Sequence, residues 1–129
     1  MLSGIVLALV LLLNTWTGDA TCYGKGIFQK VWEYRKTYLA PCPECVGYAA
    51  LADPKYTGSK IWVSDGVHFS GKLHVIDNGV FHTPGRIVEL DAETCAAWGM
   101  RAPRRVTVQF YPWLVQYPRD WVPPRIQKE

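Results

Sequence analysis

Between residues 20 and 110 no apolar pattern runs for more than a few residues before a Gly, Pro or Asp turn signal interrupts it, and this fragmentation constrains the fold most. Short strands with frequent turns are the pattern of a small sandwich or barrel. Residues 20–23 start a strand that Gly24, Lys25 and Gly26 break. Gly47 to Leu51 reads as a short buried segment, and residues 60–63 as a strand that Ser64, Asp65 and Gly66 turn toward a second strand at 72–76. Asp77, Asn78 and Gly79 end that strand. Residues 86–90 form another, and residues 105–110 alternate Val106, Val108 and Phe110 as a last, half-buried one. Asp91 is a good N-cap for a short helix over 92–98 that Gly99 stops. Residues 29–39 carry Val31, Trp32, Tyr34, Tyr38 and Leu39 without a clean period, which leaves helix and irregular strand both open. The expectation is an all-β chain, a six-stranded barrel with one short helix.

The ends of the chain read differently. A 129-residue chain has room for one compact domain. Its run GIVLALVLLL, residues 4–13, is short for a membrane span and typical of a signal-peptide core. Small residues at Gly18 and Ala20 fit cleavage after Ala20, so residues 1–20 are expected to be a signal peptide or N-terminal anchor, 21–110 the barrel, and 111–129 a tail. That tail places Pro112, Pro118, Pro123 and Pro124 among Trp113, Tyr117 and Trp121, an extended composition with aromatic faces.

Export bears on the cysteines. Cys22, Cys42, Cys45 and Cys95 in a small exported chain favour two disulfides, in any of three connectivities. The Cys42-Pro43-Glu44-Cys45 spacing suits a zinc knuckle, yet Cys22 and Cys95 are not a second pair, and three histidines without a motif make no metal centre. No metal and no cofactor are expected. The net charge of +3 is scattered, with no block of the kind that binds nucleic acid, and fits attraction to an acidic wall polymer. The reading is a secreted, periplasmic or envelope monomer, without a stable membrane span once the signal is removed.

Three stretches in order carry a family likeness: GDATCYGKG from Gly18, YAALADPKYTGSKIWV from Tyr48, and LHVIDNG followed by GRIVELDAETCAAWGM from Leu73. Together they resemble the double-psi β-barrel of rare lipoprotein A, shared with expansins and certain endoglucanases. The third stretch is the most specific, because its strand ending in Asp, second strand and capped helix keep their spacing. The likeness conflicts with a cut after Ala20, which would trim the opening strand: either the cut lies earlier or the strand starts at Thr21. The likeness implies a partner, cell-wall polysaccharide and first of all peptidoglycan, and an activity, lytic transglycosylation.

In this family the aspartate matching Asp77 is the acid in glycan chemistry. A lone carboxylic acid can protonate a glycosidic oxygen only where apolar burial raises its pKa toward working pH, and Val75, Ile76, Val80 and Phe81 are the expected surroundings. The competing reading of Asp77-Asn78-Gly79 is a plain turn. Hydrolysis would need a second carboxyl, for which Asp53, Asp65 and Glu89 are candidates. The family's central Ala-Ala-His corresponds to Ala49, Ala50 and Leu51, so its histidine is absent, and His82 is the candidate to enter the site in its place. That loss shifts weight toward an expansin-like module that binds glycan without cutting it. A barwin-like secreted effector or defence protein is the third possibility. His68 and His74 read as strand residues, and Trp62 and Trp98 as core. Tyr48, Tyr56, Trp113 and Trp121 are candidate sugar platforms, and Arg86 a loop-fixing residue with substrate contact second.

Overall fold

A computed structural model describes residues 15–79, 84–101 and 103–111. The expected positions of His82, Trp113, Trp121 and the apolar run at 4–13 lie outside these residues, as does the tail beyond Tyr111. Six strands and two helices occur among the described residues: β1 Thr15–Cys22, α1 Ile27–Arg35, β2 Gly47–Leu51, β3 Lys60–Ser64, β4 Leu73–Asp77, β5 Arg86–Leu90, α2 Ala92–Trp98 and β6 Arg104–Tyr111. The strands close into a barrel in the order β1-β5-β2-β4-β3-β6. Two neighbouring pairs, β1 with β5 and β2 with β4, are parallel, and the other four are antiparallel. Closure removes the unpaired edges that such short strands would otherwise expose.

The all-β expectation with one helix needs a second helix. α1 occupies the segment whose period left helix and strand open, and the reason lies in what it covers. Its inward residues Phe28, Val31 and Trp32 pack with Tyr23, Leu39, Tyr48, Ala50 and Ile76 in a small cluster outside the barrel. Tertiary packing of that face fixes the helix where local pattern did not. Inside the barrel a larger core gathers Ala20, Ala49, Leu51, Ile61, Val63, Leu73, Val75, Val88, Leu90, Val106 and Val108. β4 lies between the two clusters. Its Leu73 and Val75 enter the barrel, Ile76 faces the α1 cluster, and His74 packs against Trp32 and Tyr48 at ring-centroid distances of 5.5 and 6.5 Å. A strand buried on both faces loses the usual polar alternation.

Local chemistry sets the boundaries. Asp91 caps α2 by accepting from the backbone N–H of Thr94 at 2.7 Å, and Gly99 at φ 66° closes it with the N–H of Met100 bonded to Cys95 O. The other oxygen of Asp91 accepts from the N–H of Tyr48 at 2.9 Å. Gly47 makes that reach possible, since a Cβ there would lie 2.4 Å from Asp91 Oδ2. Cys22 is bonded to Cys95, tying the end of β1 to α2, and Cys42 to Cys45 within one loop. The two expected disulfides are therefore present. The first closes a span of 73 residues and the second a span of three, so the first restricts the unfolded chain more, by about 4 against about 2 kcal/mol on a loop-entropy account.

Asp65, expected in a hairpin turn, fastens the loop after β3. It accepts from the N–H groups of Val67 and His68, pairs with His68 Nδ1 at 3.0 Å and accepts from Arg104 Nη1 at 3.0 Å. Burial alone would raise its pKa, but the His68, Val67 and Arg104 donors outweigh it and hold the carboxyl well below the usual range. Trp98 is buried as expected, whereas Trp62 is not a core residue: it sits half-exposed on the outer face of β3, edge-on to Phe69 at 5.0 Å.

β1 begins at Thr15, and Thr15 to Ala20 pair with Gln109 to Arg104 of β6. The boundary expected after Ala20 thus falls inside a strand. A chain beginning at Thr21 is expected to lose cooperative thermal unfolding, whereas one beginning at Thr15 keeps it, as monitored by circular dichroism.

His74 gives a second prediction. Burial, with Lys60 nearby, pulls its pKa from 6.5 down to about 4. A base with a depressed folded pKa contributes stability that is fully present above the unfolded value and is lost as pH falls from 6.5 to 4. Urea unfolding at pH 7 and pH 4 is expected to show the protein losing about 3 kcal/mol more than His74→Gln does over that interval.

Candidate functional site

Two segments that meet at the end of β4 each bring one polar group to Asp77. Tyr23 follows β1 and is fixed by its N–H bond to Leu90 O at 2.9 Å, and its hydroxyl donates to Asp77 Oδ2 at 2.8 Å. Arg35, in the last turn of α1, donates from Nη2 to Asp77 Oδ1 at 2.9 Å and to Asn78 Oδ1 at 3.2 Å. Both side chains of this ion pair are 20% exposed. Of the apolar surroundings expected for Asp77, Val75 belongs to the barrel core and Ile76 to the cluster under α1, Val80 and Phe81 lie outside the described residues, and the carboxylate meets a phenol and a guanidinium.

Arg35 also organises the outer rim. Its Nη1 donates to the hydroxyl of Tyr38, and its guanidinium carbon lies 5.5 and 5.8 Å from the ring centroids of Tyr34 and Tyr38. Those rings meet edge-on at 6.1 Å and are 69% and 39% exposed. Exposed rings held rigidly beside a carboxylate form a surface that a pyranose can stack on while its hydroxyls reach charged acceptors.

A second carboxyl completes the cluster. Glu89 of β5 lies opposite Thr21 of β1 and accepts from its Oγ1 at 3.1 Å. Burial raises the pKa of Glu89, the Thr21 bond and Arg86 act against that, and the charge of Asp77 adds to it. Tyr23 stands between the two acids. Burial first, then the bond to Asp77 and the charges of Asp77 and Glu89, raise its hydroxyl, so it remains a donor at any ordinary pH. Of the three second-carboxyl candidates, Glu89 joins Asp77. Asp53 instead caps the turn at Pro54–Tyr56, and Asp65 is committed to His68 and Arg104.

The other expected positions separate. Leu51 is fully buried in the barrel core, so the place of the family's histidine holds no titratable group. Tyr56 packs on Trp16 and Phe110 at 4.9 Å or slightly more and serves the core instead of a sugar platform. Tyr48 is half-buried between Phe28 and Trp32. Arg86 opens β5 opposite Asp19, its buried Nε has no protein partner, and its charge reaches Glu89. Sequence reasoning missed Thr21, Tyr23, Tyr34, Arg35 and Tyr38 as site residues. A signal existed for Tyr23, the tyrosine before glycine in the opening-strand motif; none existed for Arg35, which depends on α1 being a helix.

Cys42, Glu44 and Cys45 place their ligand atoms within 4.8 Å of one another, the one such group of three or more among the described residues, and its two sulfurs are joined in a disulfide. No helix among the described residues is long and apolar enough to cross a membrane.

No family model and no curated protein matches the chain. Among solved structures, it is similar to the apo form of a Clavibacter michiganensis expansin, with a TM-score of 0.51 and 19% identity over 81% of this chain. It covers 52% of that protein, about half its length. The likeness is one of fold: the chain is an expansin-like double-psi barrel.

The charge balance at Tyr23 is open to titration. Carbon-detected NMR is expected to place Glu89 above the usual carboxylate pKa; Thr21→Val moves it higher by removing a donor to the anion, and Asp77→Asn moves it lower by removing a neighbouring charge.

Proposed function

We propose that this barrel is an exported module that holds a cell-wall polysaccharide across the Asp77 site, with peptidoglycan glycan strands as the first partner and plant or fungal glycans second. The observation that carries the reading is the exposed pair Tyr34 and Tyr38, clamped by Arg35 beside Asp77 and Asn78. Sugars offer a flat apolar face and a rim of hydroxyls, and this surface offers stacking rings next to fixed acceptors and donors. Two disulfides suit an oxidising compartment outside the cytoplasm. An expansin-like fold makes a wall polymer the natural class of partner, and rare lipoprotein A remains the narrower assignment suggested by the three sequence motifs.

Binding without cleavage is the primary reading. Asp77 is engaged at both oxygens, by Tyr23 and Arg35, in the arrangement of a structural or ligand-orienting ion pair. A general acid needs a proton to give, and an apolar pocket is the usual way to keep one. Glu89 favours a second reading, cleavage with Glu89 as acid and Asp77 as the charged partner, because burial raises the one carboxyl while Arg35 pairs with the other.

The test is to incubate purified sacculi, intact and stripped of stem peptides, with the oxidised protein and with Glu89→Gln, Asp77→Asn and the double variant Tyr34→Ala, Tyr38→Ala. Retention of the parent without soluble fragments by mass spectrometry, with roughly tenfold weaker retention of the double tyrosine variant, is the expected result. Fragments released by the parent and absent with Glu89→Gln would replace the binding reading with the cleavage reading. No retention of the parent on these sacculi or on cellulose and chitin would overturn both.

A further inference from the structure

Between the start of α1, the start of β2 and the start of α2 the surface sinks into a pocket of about 210 Å³. Tyr23 stacks on Phe28 with centroids 4.2 Å apart, and Phe28 with Tyr48 forms its aromatic wall. Asp91 and Glu93 supply two carboxyls, Gln29 an amide, and no basic side chain lines it. The site described above does not use this space.

We propose that the pocket is a subsite for one amino-sugar unit bearing a free primary ammonium, carried on the same polysaccharide that crosses the Asp77 site; the proposal rests on that glycan reading. Three features argue for the class. The volume lies below the roughly 300–1,000 Å³ of pockets that take a whole drug-sized ligand, and suits a single ring. The aromatic wall suits the apolar face of that ring and attracts a cation near it. The carboxyls are uncompensated by any lining cation, in a protein of net charge +3, so a positive ligand is drawn to this place and repelled by the molecule as a whole. Asp91 already accepts from the N–H groups of Tyr48 and Thr94 and contributes its charge, while the exposed Glu93 is the carboxyl able to contact the ammonium directly. An N-acetylated unit lacks the charge and keeps one N–H donor in place of three, and its acetyl group lengthens the substituent that must fit.

Gly24 supplies a clean probe. It lines the pocket, its φ is not positive, and a Cβ there would meet only Ile27 Cγ1, at an ordinary 3.6 Å, so Gly24→Val fills space at the mouth without clash at its first atom. Glu93→Gln removes the charge and keeps the shape.

The experiment is calorimetric titration, at one fixed salt concentration, of the full oxidised chain with glucosamine hexamer and with N-acetylglucosamine hexamer, alongside NMR mapping of Phe28, Tyr48 and Glu93. The parent is expected to prefer the glucosamine hexamer by roughly tenfold. That preference is expected to fall toward parity in Glu93→Gln and in Gly24→Val, whereas Asp77→Asn weakens both hexamers alike. Equal affinity of the parent for the two hexamers, or a preference that survives both pocket variants, would overturn the proposal while leaving the glycan reading in place. If hexamers bind nowhere but glucosamine monomer still shifts the pocket resonances and not those of Glu93→Gln, the ammonium subsite stands and the glycan reading of the Asp77 site fails. Absence of binding by hexamers and monomer alike overturns the subsite.

Discussion

The burial of β4 on both faces is the constraint on which the rest of the molecule depends. Leu73 and Val75 belong to the barrel interior and Ile76 to the cluster beneath α1, each fully removed from water and each contributing about 1.5–3 kcal/mol of transfer free energy. Such a strand needs a cover on its outer side. α1 supplies it, and the Ala-Ala pair of β2 lets the cover sit close: Ala49 faces the barrel core, and Ala50 faces Phe28 and Ile76 with no exposed surface. Larger residues at Ala50 would lift α1, and α1 carries Arg35. Packing at the foot of the helix therefore determines charge geometry at its end.

The site forms where β4 stops being buried. Asp77 is the first of its residues to be partly exposed, and Tyr23 after β1 and Arg35 at the end of α1 converge on it. Each contact to Asp77 is long in sequence, 54 residues to Tyr23 and 42 to Arg35. The Cys22–Cys95 bond holds the β1 end beside α2, so Thr21 and Tyr23, on either side of Cys22, are anchored against Glu89 and Leu90. The disulfide that restricts the unfolded chain most thus flanks the two residues that donate to the carboxyls, Thr21 to Glu89 and Tyr23 to Asp77.

Local chemistry was legible in the sequence and long-range chemistry was not. Asp91, the 92–98 helix and Gly99 were readable because cap, helix and stop are neighbours. The alternation of Val106 and Val108 was readable because β6 is half-buried and keeps a period of two. α1 was not, since its apolar residues face a small cluster built from four other segments and follow no clean stripe. With α1 undecided, Arg35 had no assigned direction, and the surroundings of Asp77 were inferred from sequence neighbours. Of those neighbours Val75 belongs to the barrel core and Ile76 to the cluster under α1, and an irregularity in the pairing of β4 with β2, which skips Ile76, breaks the simple alternation that would put Val75 and Asp77 on one face. Where alternation holds, it explains why Leu51 fell into the core and Glu89 outside it: Val88 and Leu90 claim the inward positions of β5 and leave Glu89 to face Thr21.

Two carboxyls near one tyrosine usually invite a catalytic reading, and their environments decide how far it goes. Arg35 and Tyr23 both donate to Asp77, which orders the aromatic rim through the same guanidinium that meets Tyr38. Glu89 has a hydroxyl donor, Thr21, and burial works against its ionisation. The asymmetry distinguishes the two acids: Asp77 is held in an ion pair whose guanidinium also meets Tyr38, whereas burial works against the ionisation of Glu89. Under the glycan reading proposed above, a sugar hydroxyl arriving at Glu89 would accept from its protonated form or donate to its anion without rearranging the ion pair at Asp77. Under the same reading, what separates a binder from a catalyst is whether a glycosidic oxygen is delivered to Glu89.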